Sequence, residues 1–350
     1  MTVATHENFD ILDLAKFACS IVIVGLHSDL LYDGCPRLNL VLFRALGRLA
    51  VPLFFLMSAF FFYRKGEPDG EKVKRYVVRM LVLYFCWFVV HLPKTIFDRF
   101  ICSGRPPGTT TLVFLKSFFT TSTFSGSWFL CSCVFSVLAL FFLNSYLHEG
   151  KSKTVMLVTI SLLSYLFCVS ASAYGKLFYS VEAMERISLF FAKPYTSILV
   201  GIPYFAVGKI IAEHQDGIAP HAGRTLLFSW ALFFGGLVIA EAFLTVRVFQ
   251  VAYSTDCYLF LLPCSVVIFL FLLTFDIKIR WAGVLRKYST IIFFSHFLWL
   301  FGAEILEWLA KGRFCTLAKF SFAIIGSLLT SAVLLTLEKR PRMAWLRFFH

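Results

Sequence analysis

The chain has 350 residues, 59% hydrophobic and 15% charged, with a mean hydropathy of +0.79. A soluble domain is about one-quarter charged, so this composition excludes a soluble globular protein and points to an all-α polytopic membrane protein, a single integral-membrane domain over 1–350 with no separate soluble domain. The net charge of +13 is not read as a nucleic-acid footprint, because Lys and Arg collect in the cytoplasmic loops of membrane proteins.

Hydrophobic runs of about 20 residues predict ten spans, near 11–31, 42–63, 77–97, 126–147, 154–173, 195–213, 225–246, 257–275, 288–309 and 315–337. Loop Lys and Arg are more numerous on one side, which places both termini in the cytoplasm. The N-terminus lacks the basic region of a cleavable signal, carrying Glu7, Asp10 and Asp13 instead. Most of the ten cysteines fall in apolar runs, where Cys acts as a small apolar residue. They form no CxxC pair and no Cys/His metal spacing, so no metal is expected, though a bridge between loop residues Cys35 and Cys102 stays open.

The first span carries Asp13 and Lys16 near its start and His27 near its end. Ionisable groups in hydrocarbon are costly and mark functional sites. At ~1.5 Å per residue, Lys16 and His27 lie roughly 16 Å apart along a helix, and about three turns put them on nearly the same face. The second span begins with Arg44 and Arg48, an i,i+4 pair, and the topology gives Arg48 and His27 the same depth, toward the outside.

The first inner loop, RKGEPDGEKVKR, continues to Arg79 one turn into the third span, and Arg75 and Arg79 share a face. The stretch from Asp98 to Ser125 contains a Gly/Pro turn and LVFLKSFF, which can lie flat at the interface. Trp128 opens the fourth span, where Trp is commonly an interfacial anchor. Glu241 and Glu304 sit deep in the seventh and ninth spans and read as carboxylates buried against Arg or Lys, or as support for a polar site. His296, two turns into the ninth span, reads either as a site residue or as a hydrogen-bonding helix contact. His91 and His148 receive no role. Internal repeats, Gly-rich phosphate loops, zinc motifs and nucleophile elbows are absent.

Taken together, several stretches resemble acyltransferase family three of integral membrane proteins. Its first span carries an acidic residue, a basic residue, ten residues and a His, as do Asp13, Lys16 and His27. RLAVPLFFLMSAFF, from Arg48 to Phe61, resembles the family's second span, with Ala59 where Gly is usual. Arg75 and Arg79 match an R-x-x-x-R loop; WFL at Trp128–Leu130, GIPYFAVGKIIA at Gly201–Ala212 and YSTIIFFSH at Tyr288–His296 match further segments, with Phe293 where Tyr is common. The resemblance covers nearly the whole chain and marks it as the bare membrane module.

The resemblance implies O-acyl, usually O-acetyl, transfer from cytoplasmic acetyl-CoA to a hydroxyl of an extracytoplasmic or lipid-linked glycan, in the bacterial cytoplasmic (inner) membrane. Lys16, Arg75 and Arg79 would hold CoA phosphates. His27 would act as general base or as acyl carrier. Arg48 would stabilise the oxyanion or orient a substrate, and Asp13 would position a basic neighbour. Trp128, Glu241 and His296 would bind substrate or support the site. The alternative is a small-solute transporter of the same fold family, for an amino acid such as serine. It would need His27 and the carboxylates but no CoA phosphate cluster. A purely structural scaffold would not account for Lys16, His27 and Arg48 in apolar segments.

Overall fold

The computed structural model describes residues 9–102, 106–146, 151–191, 193–215 and 223–350. Every described element is helical. Ten helices fall on the ten predicted runs: α1 (Asp10–His27), α2 (Ala50–Tyr63), α3 (Gly70–Ile96), α4 (Ser127–Tyr146), α5 (Lys151–Ala171), α6 (Gly201–Glu213), α7 (Arg224–Phe243), α8 (Leu261–Leu273), α9 (Ala282–Ala310) and α10 (Thr316–Leu337). Not all are long and apolar enough to cross a membrane unaided. Among the described residues, seven segments are: Pro36–Tyr63, Gly70–Ile101, Ser127–Ser145, Val181–Glu213, Arg224–Val248, Ala282–Ala310 and Thr316–Leu337. Seven of the ten expected spans are thus supported by length and composition. α1 is 18 residues long but holds Asp10, Asp13 and Lys16, and α8 is only 13 residues.

The core is built around α2. Its residues Phe55, Leu56, Met57, Ala59 and Phe60 are all but sealed from solvent, because α6 packs along one side of it and α1 along another. α1 lies between α2 and α9, and α9 packs in turn on α10. Without a hydrophobic force between helices in lipid, close backbone approach decides such contacts. Gly208 of α6 supplies one: a Cβ there would lie 2.6 Å from the Ala59 Cβ and 3.1 Å from the Leu56 carbonyl oxygen. The usual small-residue contact is therefore kept with Ala on α2 and Gly on α6.

Local signals place the helix ends. Asp69 caps α3 by accepting a hydrogen bond from the Lys72 amide at 2.7 Å. α1 starts with Asp10 and Asp13 at its positive end and finishes with His27 at its negative end. Before α2 the chain passes through a π-helical turn at Leu40–Ala45 and a 3₁₀ turn at Leu46–Leu49, an irregularity common beside functional groups. Arg44 and Arg48 sit in these turns. LVFLKSFF falls in the helix Pro107–Thr120, where Leu112 and Leu115 are exposed. Cys35 and Cys102 are exposed free thiols, Glu304 is exposed rather than buried against a cation, and His148 lies outside the described residues.

Candidate functional site

His27, the last residue of α1, borders a cavity of about 100 Å³ together with Arg48, Phe55, Trp128, Tyr195 and Asp256. His27 and His296 come together from α1 and α9, their rings stacked with centroids 5.4 Å apart, and Phe297 closes on both at 4.6 and 4.0 Å. The His296 Nδ1 lies 2.9 Å from the Ile292 carbonyl. A carbonyl only accepts, so Nδ1 carries the proton and Nε2 a lone pair. That Nε2 is buried and has no hydrogen-bond partner among the described residues. Trp128 reaches the cavity because Gly126, at φ +86°, turns the chain into α4 against the Phe297 ring. An L side chain there would be strained.

Arg48 donates from Nη1 to Asp256 and, at 3.1 Å, from Nη2 to the Thr255 hydroxyl. Its Nε is buried and lacks an acceptor among the described residues. Asp256 is the partner that sequence reasoning missed, since it lies 208 residues away in a loop that reads as the margin of a span. Glu241 is buried, not against Arg or Lys but under that loop: it accepts from the Leu259 amide at 2.6 Å, the Phe260 amide at 3.0 Å and the Tyr174 hydroxyl at 2.9 Å. It thus anchors the backbone that carries Asp256.

Asp13 and Lys16 lie toward the other end of α1. Asp13 is buried and accepts a two-point hydrogen bond from Arg286 of α9, Nε to Oδ1 at 2.8 Å and Nη2 to Oδ2 at 2.6 Å. Such a planar match is strong. At ~1.5 Å per residue, Asp13 is about 21 Å along the helix from His27, so the structure does not bring these two together. Lys16, Arg79 and Arg286 border a second cavity of about 340 Å³ with Phe54, Phe129 and Phe293. The Lys16 ammonium lies 4.9 Å from the Phe61 ring centre. A neighbouring groove of about 610 Å³ shares Arg79 and His350 with it and adds Lys74, Arg75 and Arg347. Arg75, Arg79 and Arg347 have no carboxylate partner among the described residues, whereas Lys74 pairs with Glu71 at 3.8 Å.

One aromatic layer separates the two cavities. Phe54 and Phe129 border the cavity of Lys16, while their chain neighbours Phe55 and Trp128 border that of His27. Phe54, Phe129 and Phe293 pack with centroids 5.4–6.0 Å apart.

The fold and this arrangement define a multi-pass membrane protein, helical throughout its described residues, with one cavity bordered by Lys16, Arg79 and Arg286 and another bordered by His27 and Arg48. The model of the acyltransferase domain matches residues 9–336, and the chain belongs to acyltransferase family three. It is also similar to amino-acid racemases of Enterococcus faecalis, at 21% identity over 280 residues (79% of this chain, 37% of the relative) and 21% over 346 residues (95% and 47%). The chain therefore spans less than half the length of these curated relatives. No solved structure matches it.

Proposed function

We propose that the protein is a membrane O-acyltransferase that moves an acetyl group from cytoplasmic acetyl-CoA to a hydroxyl of an extracytoplasmic or lipid-linked glycan, in the bacterial cytoplasmic membrane with both termini inside. The observation that carries this reading is the cationic cavity of Lys16, Arg79 and Arg286 lying one aromatic layer from the His27 cavity. A donor and an acceptor on opposite sides of a membrane need that layout.

The donor side fits CoA in its chemistry. Arg75, Arg79 and Arg347, without a carboxylate partner among the described residues, can meet phosphates, Arg in bidentate fashion, and the adjoining cavity adds the apolar surface of Phe54, Phe61, Phe129 and Phe293, which suits a pantetheine arm. Acetyl-CoA supplies an activated thioester. At the other end His27 takes the proton of the acceptor hydroxyl as the new C–O bond forms. The C–S bond breaks, and the proton passes from His27 to the departing thiolate. Arg48, with an unused Nε–H, donates to the oxyanion that develops on the carbonyl. The His296 ring holds His27 by stacking.

The test is thiol release from acetyl-CoA by protein in nanodiscs. His27→Ala is expected to lower it by about 10²–10⁴-fold, the usual contribution of a general base. Radiolabel that stays on the protein after acetyl-CoA is removed would instead mark His27 as an acyl carrier. Equal release by wild type and His27→Ala would move the chemistry elsewhere.

A second reading is an amino-acid transporter, supported by the amino-acid racemases among the relatives. It predicts serine uptake into proteoliposomes, no binding of acetyl-CoA, and little effect of Arg75→Ala or Arg79→Ala.

A further inference from the structure

Beyond the His27 cavity lies a larger one of about 640 Å³, bordered by Arg44, Arg48, Lys176, Arg247, Tyr253 and Asp256. Arg48 and Asp256 border both cavities, so their ion pair is a shared wall. The lining is dominated by cations. Arg44 is held by Asp29 at 2.6 Å and Arg48 by Asp256. Lys176 and Arg247 have no carboxylate partner among the described residues; the Lys176 ammonium meets only the Gln250 carbonyl, at 3.2 Å. Counting Asp29 and Asp256 against the four cations leaves two positive charges.

Lys176 and the loop that carries Asp256 stand on hydrogen-bonded backbone. Buried Ser172 accepts from the Tyr253 amide at 3.0 Å through its carbonyl and from the Cys257 amide at 3.0 Å through its hydroxyl. The Lys176 amide donates to the Val251 carbonyl at 2.9 Å. The Tyr253 ring lies against Gly175, where a Cβ would come within 2.0 Å of it. Like charges held together beside an apolar bundle repel one another unless an anion joins them. Two spare cations bordering one cavity beside Arg48 suit an oxyanion.

We propose that this vestibule is an oxyanion-binding subsite and that the acceptor carries a phosphate or carboxylate close to the hydroxyl that is acylated. The inference rests on the acyl-transfer reading and narrows its acceptor to anionic glycans or glycolipids. Lys176 and Arg247 hold the oxyanion, and the Arg48–Asp256 wall sets its distance from His27.

The test compares binding of glucose, glucose 1-phosphate and glucuronate to the full chain in phosphatidylcholine nanodiscs by calorimetry. The two anionic sugars are expected to bind about tenfold or more tighter than glucose, as charge-assisted contacts allow. Lys176→Gln/Arg247→Gln alters exposed side chains and is expected to erase most of that preference. Arg313→Gln, which removes an exposed cation outside the vestibule, is expected to keep it. Equal affinities for the three sugars in wild type, or a preference that survives the double substitution, overturns the proposal. So does a preference lost on changing to phosphatidylglycerol nanodiscs, which identifies the occupant as a lipid headgroup. If the preference stands but wild type releases no thiol from acetyl-CoA, the oxyanion site holds and the acyl-transfer reading falls.

Discussion

At the scale of single residues, the two ends of α1 place different demands on their charges. Asp13 is buried while its partner Arg286 is partly exposed. Removing the guanidinium leaves a carboxylate unpaired in the bundle, so Arg286→Ala is expected to destabilise by on the order of 3 kcal/mol. Asp13→Asn removes the buried charge itself and is expected to cost less; melting temperatures of the two variants in one detergent check the order. At the other end, Asp256 holds Arg48 in place. Asp256→Asn is expected to keep the fold and lower acetyl transfer, because the guanidinium then has no fixed aim. A kcat/KM for Asp256→Asn equal to that of wild type would remove Asp256 from the machinery.

At the scale of elements, the contact of α2 with α6 leaves no room for an added methyl group. Gly208→Ala puts a methyl group 2.6 Å from the Ala59 Cβ, and overpacking of this kind costs about 1–3 kcal/mol. The added Ala59→Gly change restores the space, so the double variant is expected to melt closer to wild type than Gly208→Ala alone. The helices themselves were legible from hydrophobic runs, since each run meets the length rule locally. Whether a helix is long and apolar enough to span was less legible: α1 has the length but carries three charges, and the run at α8 includes flanking residues outside its 13-residue helix.

At the scale of the whole molecule, the proposed acyl transfer requires that the two cavities stay apart until both substrates are present. On that reading the barrier is the packed layer in which Phe54, Phe129 and Phe293 border one cavity and Phe55 and Trp128 the other. Phe293→Leu thins that layer. It is expected to raise thiol release from acetyl-CoA in the absence of acceptor, several-fold over wild type, and a radiometric hydrolysis assay reads it. Unchanged or lower release would show that the barrier lies elsewhere.

The sequence by itself determined the membrane class, the order of the helices, and the alignment of Lys16 and His27 along one helix face. Each follows from hydropathy and helical period, which act over a few turns of chain. The tertiary structure alone decided which charges meet. Asp13 pairs with Arg286 and Arg48 with Asp256 across 273 and 208 residues, and Glu241 turns to backbone amides instead of a cation. His296 reaches His27 only because α9 packs on α1. No local pattern encodes such partners: a buried charge is satisfied by whichever group the packing of helices brings within reach, and packing is a property of the bundle as a whole.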